Sequence, residues 1–500
     1  MLARDKSIFF STLFGWLLAG GALAVRYVTS AEIGCSFASR FNIIESRAAS
    51  VLFVGACVCF SISAYYAWAY VENPATAPSK FIKYLPLLSL LGAFIAIPFN
   101  THDLSYYFSA GRAAHEGVNV YTEAWTMENY FICPSPKNTG AGIMYGPLSV
   151  FLFEGVYRLS ADNLVVFIII WKMLMVFATG LAAWLAARLA KYLHPTTDRR
   201  IFYLVWFAQP LLLWEWVANG HFDIVWLVLV LAAIIYALKQ RWWLVLICLA
   251  IGTWIKFIPL LMAPWFALWW WQSLTRQTWR KSVLSAAVGI VASAVITYIS
   301  WLGFWQGRAT ITPIILQTKW AVTSIFSVLY YSSKGLFVTM LGANAHWYLT
   351  RLVHAIVLVF AWYLLWPLVK RAWRVVIKKD VWELKDFLVA IFISMLVYLS
   401  VWQKSFWPWY ISWLLPFGII LVGYHNHFIK KMSRWLGIAP LYFYAIWLFN
   451  HHTRHTDAPS ELWFYYVIVA LVWVVPVALL VKWRRIGYAL TTEKAEGGAN

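Results

Sequence analysis

Residues 164–190 read LVVFIIIWKMLMVFATGLAAWLAARLA, an apolar run interrupted only by Lys172, Thr179, Gly180 and Arg188. A membrane's hydrocarbon core is crossed by about 20 helical residues, so this stretch predicts a transmembrane span. Working outward from it, apolar runs recur along almost the whole chain. Residues 7–28, 49–70 and 84–99 precede it; 201–217, 224–238, 242–271, 283–302, 347–369, 387–402, 409–423, 435–449 and 463–481 follow. Together these thirteen runs predict an all-α polytopic membrane protein. The 500 residues are 62% hydrophobic and 12% charged, whereas roughly a quarter of the residues of a soluble domain are charged.

The run at 242–271 is too long for one ordinary helix. It is broken by Lys256 and Pro259 and has basic residues at both ends, Lys239 and Arg241 before it and Arg276, Arg280 and Lys281 after it. That pattern predicts a hairpin of two short spans, which raises the total to fourteen and puts both termini on one side. The loops on that side then hold the larger share of the lysines and arginines. The positive-inside rule accordingly places both termini in the cytoplasm and Asp103, Asp223 and Lys404 at the outer face of the plasma membrane. The formal charge of +20 reads as an inner belt facing anionic lipid headgroups and not as a nucleic-acid footprint. No cleavable signal is apparent in the first run. Cys57, Cys59 and Cys248 fall in spans as small core residues. Cys35 and Cys133 fall outside, where spacing alone does not decide whether they pair.

One membrane domain, 1–485, shows no fixed-period repeat, and 486–500 reads as a disordered cytoplasmic tail. Two longer outer segments, 100–160 and 303–345, interrupt the spans and are long enough to roof a cavity between them. In the first, Leu104, Tyr107, Phe108 and Gly111 share a helical spacing that predicts a surface-lying helix over 104–116. Trp, Tyr and Phe, 19% of the chain, crowd the ends of spans as an interfacial belt.

Polar residues at these boundaries carry the candidate chemistry. Asp103 begins the first outer segment, either as the cap of the following helix or as a carboxylate facing a groove. Asn219-Gly220-His221-Phe222-Asp223 joins two spans, either as a tight turn with a dipole-favoured acid or as a site for sugar hydroxyls or phosphate. Lys256 needs an anionic partner or must snorkel, since an unpaired cation in the bilayer costs roughly 2.5–3.5 kcal/mol; a lipid phosphate would serve. Lys404-Ser405-Phe406-Trp407-Pro408-Trp409-Tyr410 fits either interfacial anchoring or contact with a sugar or headgroup. His451-His452-Thr453-Arg454-His455-Thr456-Asp457 matches no specific metal spacing and equally suits a phosphate-rich surface.

In order, these pieces resemble the GT-C polyprenol-phosphate-mannose-dependent mannosyltransferases, including bacterial α-mannosyltransferases. Carrying the resemblance are Asp103 with Tyr107, Gly111 and Arg112; Asn119-Val120-Tyr121; Tyr145-Gly146-Pro147-Leu148; Gly220-His221-Phe222-Asp223; Lys256 with Pro259; and Trp407-Pro408-Trp409-Tyr410. Two departures stand out: Val120 where the family often has proline, and Phe222 where it often has asparagine. The resemblance implies a GT-C-like fold and transfer of a hexose, mannose first, from a polyprenyl-phosphate donor to a lipid-linked or cell-envelope glycan acceptor with inversion. It implies Asp103 as general base, His221, Lys256 and Lys404 on the donor phosphate, and Asp223, Arg112, Tyr121, Tyr145 and Trp409 on sugar or acceptor. No nucleotide sugar or other cofactor is implied, and no metal is demanded. Glucose and arabinose donors stay open. The rival reading is a transporter or flippase for a lipid-linked sugar, which would place its polar groups near the midplane and often show repeated halves.

Overall fold

The computed structural model describes residues 2–29, 46–72, 80–96, 103–128, 137–274, 279–317, 323–421, 427–454 and 462–486. Cys35, Cys133, the 455–457 end of the histidine-rich stretch and the tail from 487 lie outside the described residues, as do the side chains of 451–454.

Long apolar helices α1 (Leu2–Thr29) and α2 (Arg47–Glu72) pack side by side, followed by the short α3 (Leu85–Ile95). The first interrupting segment folds as α4 (Asp103–His115), an antiparallel hairpin of β1 (Ala124–Glu128) and β2 (Lys137–Ala141), and α5 (Pro147–Ser160). The apolar run at 164–190 is α6 (Leu164–Leu193). Next come α7 (Arg199–Phe207) and α8 (Pro210–Leu213), the latter running into a π-helical turn at Trp214–Ala218. Chain direction changes by 62° between α7 and α8, where Pro210 lacks an N–H and disfavours helix at the residue before it.

α9 (Asp223–Leu238) and α10 (Trp242–Ile255) pack against each other, and a 3-10 turn at Ile258–Met262 leads into α11 (Ala263–Leu274). The break falls where the sequence predicts it, with Lys256 in extended backbone at φ −149°, ψ 134°. Beyond it, α10 packs on α9 and α12 (Trp279–Trp301), and α11 on α12. The second interrupting segment holds α13 (Arg308–Gln317) and α14 (Ile325–Leu341), and α15 (Ala345–Ile377) follows. The chain finishes with α16 (Leu384–Val397), a second π turn at Tyr398–Trp402, a 3-10 turn at Pro408–Trp413, α17 (Leu415–Ile420), α18 (His427–Ile438), α19 (Leu441–Arg454) and α20 (Leu462–Ile486).

Among the described residues seven helices are long and apolar enough to cross a membrane, and the bent α7–α8 pair makes an eighth. Five shorter apolar helical stretches accompany them. The protein is an all-α multi-pass membrane protein, with one small β-hairpin among the described residues. Not every apolar run becomes one continuous helix. In the run at 84–99, α3 ends at Ile95 with Ala96 as its C-cap, and the run at 409–423 begins as a 3-10 turn. The run at 435–449 is divided between α18 and α19 around Pro440, which cannot donate a helical hydrogen bond. α18 is instead amphipathic: Ile429, Met432 and Leu436 are buried, while Lys431 is exposed.

α4 forms as a helix and is largely enclosed by the protein. It packs on α5, α6 and β1, burying Leu104, Tyr107, Phe108 and Ala110. Its rings enter a continuous aromatic cluster in which Tyr107 stacks on Phe153 at 4.6 Å and meets Phe222 edge-on at 5.1 Å. That cluster seats α4 on the turn before α9.

Candidate active site

Because α9 starts at Asp223 and α10 packs back along it, the end of α10 returns to the start of α9. Lys256 Nζ there lies 2.5 Å from Asp223 Oδ1. The two side chains are 14% and 1% exposed, so the cation meets its intramembrane cost through a carboxylate in the protein. Trp413 Nε1 donates to the same Oδ1 at 2.7 Å, while buried Oδ2 has no partner among the described residues. Around the ammonium stand the rings of Trp413, Tyr145, Phe222 and Tyr410, with centroids at 4.9, 5.4, 5.7 and 5.8 Å.

A second pair stands beside the first. The π turn carries the chain through Asn219 to Gly220, whose φ of +76° is in the left-handed region and suits a residue without Cβ. The turn presents His221, fully buried, with Nε2 3.3 Å from Asp103 Oδ2. Asp103, in the first turn of α4, is 25% exposed and accepts a hydrogen bond from Tyr107 one helical turn later at 3.0 Å. The other imidazole nitrogen, Nδ1, lies 3.2 Å from Glu215 Oε2 and 3.1 Å from the Glu215 carbonyl. Burial alone would push the His221 pKa down. Hydrogen bonding and charge from Asp103 and Glu215 outweigh it and carry the value up to about 10. For Asp103, burial works to raise the pKa, but His221, Lys256 and Tyr107 together hold it below the ordinary carboxylate value.

Other quoted motifs brace these pairs. Asn119 Oδ1 accepts from Tyr121 N at 3.2 Å, an Asx turn, and its Nδ2 donates to the Phe304 carbonyl at 3.2 Å. Tyr121 donates to the Tyr145 carbonyl at 2.7 Å and fixes the loop that brings the Tyr145 ring under Lys256. Gly146 passes so close to α10 that an added Cβ would lie 2.1 Å from the Trp254 carbonyl oxygen. From α6, Trp171 donates to the Gly220 carbonyl at 2.7 Å, and buried Lys172 donates to the Phe94 and Ala96 carbonyls at the end of α3. Neighbouring residues of one span thus hold the turn bearing His221 and the helix end leading towards Asp103.

Of the residues proposed from sequence, Asp103, His221, Asp223, Lys256, Tyr145 and Trp409 come together. Trp409 stacks on His221 at 4.4 Å and on Trp407 at 5.2 Å. Tyr121 acts one bond away. Arg112 sits at the far end of α4, paired with Asp162 at 2.5 Å, and Lys404 lies over the Phe326 ring at 5.3 Å. Thr323 and Ser324, just before α14, donate to the Phe406 and Lys404 carbonyls. Two participants escape the sequence reading, Trp413 and Glu215. Glu215 had a usable signal, an acidic residue inside the apolar run 201–217, where an ionisable side chain marks a site by default. Among the described residues no group of three or more His, Cys, Asp or Glu is placed to share a metal ion.

Trp254 and Phe257, on either side of Lys256, line an apolar cavity of about 660 Å³ with Thr297, Trp301, Trp305 and Ile314. Lys256 meets Asp223 while its neighbours face this cavity, so one short break borders both polar and apolar space.

Residues 11–272 match the family model described as alpha-(1->6)-mannopyranosyltransferase, N-terminal domain. That segment contains α4, the π turn, His221, Asp223 and Lys256. Alpha-(1->6)-mannopyranosyltransferase A of Corynebacterium glutamicum is 20% identical over 270 residues, 50% of this chain and 52% of that protein. The chain thus spans about half the length of this curated relative.

Proposed function

Since the chain belongs to the alpha-(1->6)-mannopyranosyltransferase family, we propose that it moves mannose from a polyprenyl-phosphate donor to a lipid-linked or cell-envelope glycan acceptor, with inversion. The observation that carries this reading is Asp103, a partly open carboxylate beside His221 and the Asp223–Lys256 pair. The apolar cavity next to Lys256 supports a lipid donor, because it offers space for an isoprenoid chain where the headgroup would meet cations. The basic bias of the loops supports an outer-leaflet position for this end of the helices.

An acceptor hydroxyl attacks the anomeric carbon from the face opposite the phosphate, and Asp103 takes its proton. The bond from carbon to phosphate oxygen breaks, and its electron pair leaves with the polyprenyl phosphate. His221 and Lys256 hold the departing charge, stabilisation worth most in a site closed to water. Before donor arrives, Asp103 is a weak base, held acidic largely by His221. A phosphate that draws the Nε2–H towards itself releases Asp103 as a stronger one. Asp223 keeps Lys256 in place, Tyr145 and Trp409 border the sugar, and Tyr121 acts through Tyr145. Arg112 pairs with Asp162 and Lys404 lies over the Phe326 ring, and these steps assign neither a role.

Turnover of radiolabelled polyprenyl-phosphate mannose by purified protein, with membrane glycan extract as acceptor, tests the reading. Asp103→Asn keeps the shape and loses the base, so turnover should fall about a hundredfold or more with donor binding and thermal stability kept. Near-parental turnover by the folded variant would remove Asp103 as base. Movement of labelled lipid across vesicles without transfer would replace the enzyme by a transporter.

A further inference from the structure

His221 is held on both sides by carboxylates, and the one away from the reaction space is wholly enclosed. Glu215 is 0% exposed. Its Oε1 accepts from Tyr444 on α19 at 2.7 Å and its Oε2 from Asn219 at 3.0 Å, while its carbonyl accepts from the His221 N–H at 2.9 Å. The π turn produces this concentration of contacts: its wider winding places the Glu215 carbonyl and carboxylate together against one imidazole edge. Single π turns inside helices are frequent at functional sites.

We propose that Glu215 is a positioning residue for the transfer reaction. It fixes the imidazole with Nδ1–H turned inward and keeps it protonated, so that Nε2–H is presented to the phosphate of the lipid donor. The inference rests on the reading given under Proposed function. An imidazole with an acceptor at each nitrogen has a donor for both only as the imidazolium, and the Trp409 ring stacked on it at 4.4 Å favours the cation further. No proton passes to the phosphate: His221 supplies charge and a hydrogen bond, and Nδ1–H stays with Glu215 throughout.

Among the described residues, charged and titratable groups face the imidazole from several elements. Asp103 and Tyr107 face it from α4, Glu215 from the π turn and Tyr444 from α19 behind Glu215. Asp223 at the start of α9 and Lys256 at the end of α10 form the neighbouring pair. Among the described residues, Asp103 and Glu215 are the carboxylates paired with His221, and Asp103 must give up its contact when phosphate arrives. Glu215 is then the anion that remains.

Glu215→Gln keeps the volume and removes the charge. Loss of an opposite charge at contact distance should lower the His221 pKa by about 1–3 pH units. The full-length variant, assayed with polyprenyl-phosphate mannose from pH 6 to 10, should keep turnover within about threefold of the parent at pH 6 and lose about twofold to ninetyfold by pH 9, according to the size of the shift from about 10. Glu215→Asp retains the charge and should restore the alkaline limb. Tyr444→Phe removes a neighbour's hydrogen bond but no charge and should leave the profile's shape alone. An equal loss at every pH in Glu215→Gln, or an acid-shifted profile in Glu215→Asp, overturns the proposal.

Titration of His221 by nitrogen-15 NMR on substrate-free protein is independent of the functional reading. The parental ring should stay protonated beyond pH 8 and the Glu215→Gln ring should deprotonate at lower pH. An unchanged titration refutes the role of Glu215 even if mannosyl transfer is established. The expected shift without any mannosyl transfer would sink the catalytic reading alone.

Discussion

Lys256→Met is the substitution whose consequences the structure specifies most fully. The side chain keeps its apolar reach beneath the rings of Tyr145, Phe222, Tyr410 and Trp413, so packing is largely conserved. What is lost is the partner of Asp223, 1% exposed, which would retain Trp413 Nε1 alone. At 2.5 Å and an effective dielectric of ~20, the pair's attraction is ~6.6 kcal/mol before desolvation is counted. Removing one member of a buried pair typically costs about 3–5 kcal/mol, because the remaining charge is left uncompensated. Snorkelling alone would predict a folded and nearly unaffected variant.

A double-mutant cycle separates charge from packing. Lys256→Met should lose about 3–5 kcal/mol of resistance to thermal or denaturant unfolding in detergent. Asp223→Asn should lose less, because a lysine 14% exposed can reach for water. The double variant should recover most of the first loss, for it buries no unpaired carboxylate. Turnover should stay low in all three, since the cation that meets the phosphate is absent or displaced. The reasoning is refuted if Lys256→Met unfolds with the parent, or if the double variant is no more stable than Lys256→Met.

Tyr121→Phe should lower stability by about 1–3 kcal/mol by leaving the buried Tyr145 carbonyl unpaired. It should reduce turnover while leaving the pH profile in place, and an unchanged unfolding midpoint would show that the Tyr121–Tyr145 bond is not formed. Single cysteines placed between Asn129 and Asn138 should react with a membrane-impermeant reagent in intact cells, and cysteines between Arg374 and Lys379 should not. The reverse pattern would put Asp103 on the cytoplasmic side and end the outer-leaflet mechanism.

Much of the chemistry was already legible in one dimension, because a bilayer imposes its rule on each segment separately. Every crossing run must be apolar for about 20 residues, so Asp103, Asp223 and Lys256 announced themselves as exceptions at its ends. The Asn219–Gly220 turn and the break at Lys256 and Pro259 were legible for the same local reason, as special backbone or missing donors. How each apolar run would fold was less so: α18 and α19 part at Pro440, and α8 gives way to a π turn. Hydropathy records transfer cost and not helix continuity.

Pairing was decided by tertiary structure alone. Lys256 presented two candidates from sequence, water or a lipid phosphate. The return of α10 along α9 supplied Asp223 instead, a contact spanning a turn that hydropathy does not see. Arg112 looked like part of the site because of its motif, yet its position on α4 directs it to Asp162, at the opposite end from Asp103. Glu215 was hidden in an apolar run and acquires its meaning from His221, Asn219 and Tyr444, which converge on it from the following turn and from α19. Charge pairing falls steeply with distance in space and is indifferent to distance along the chain. The sequence could therefore name the ionisable groups, and only packing could pair them.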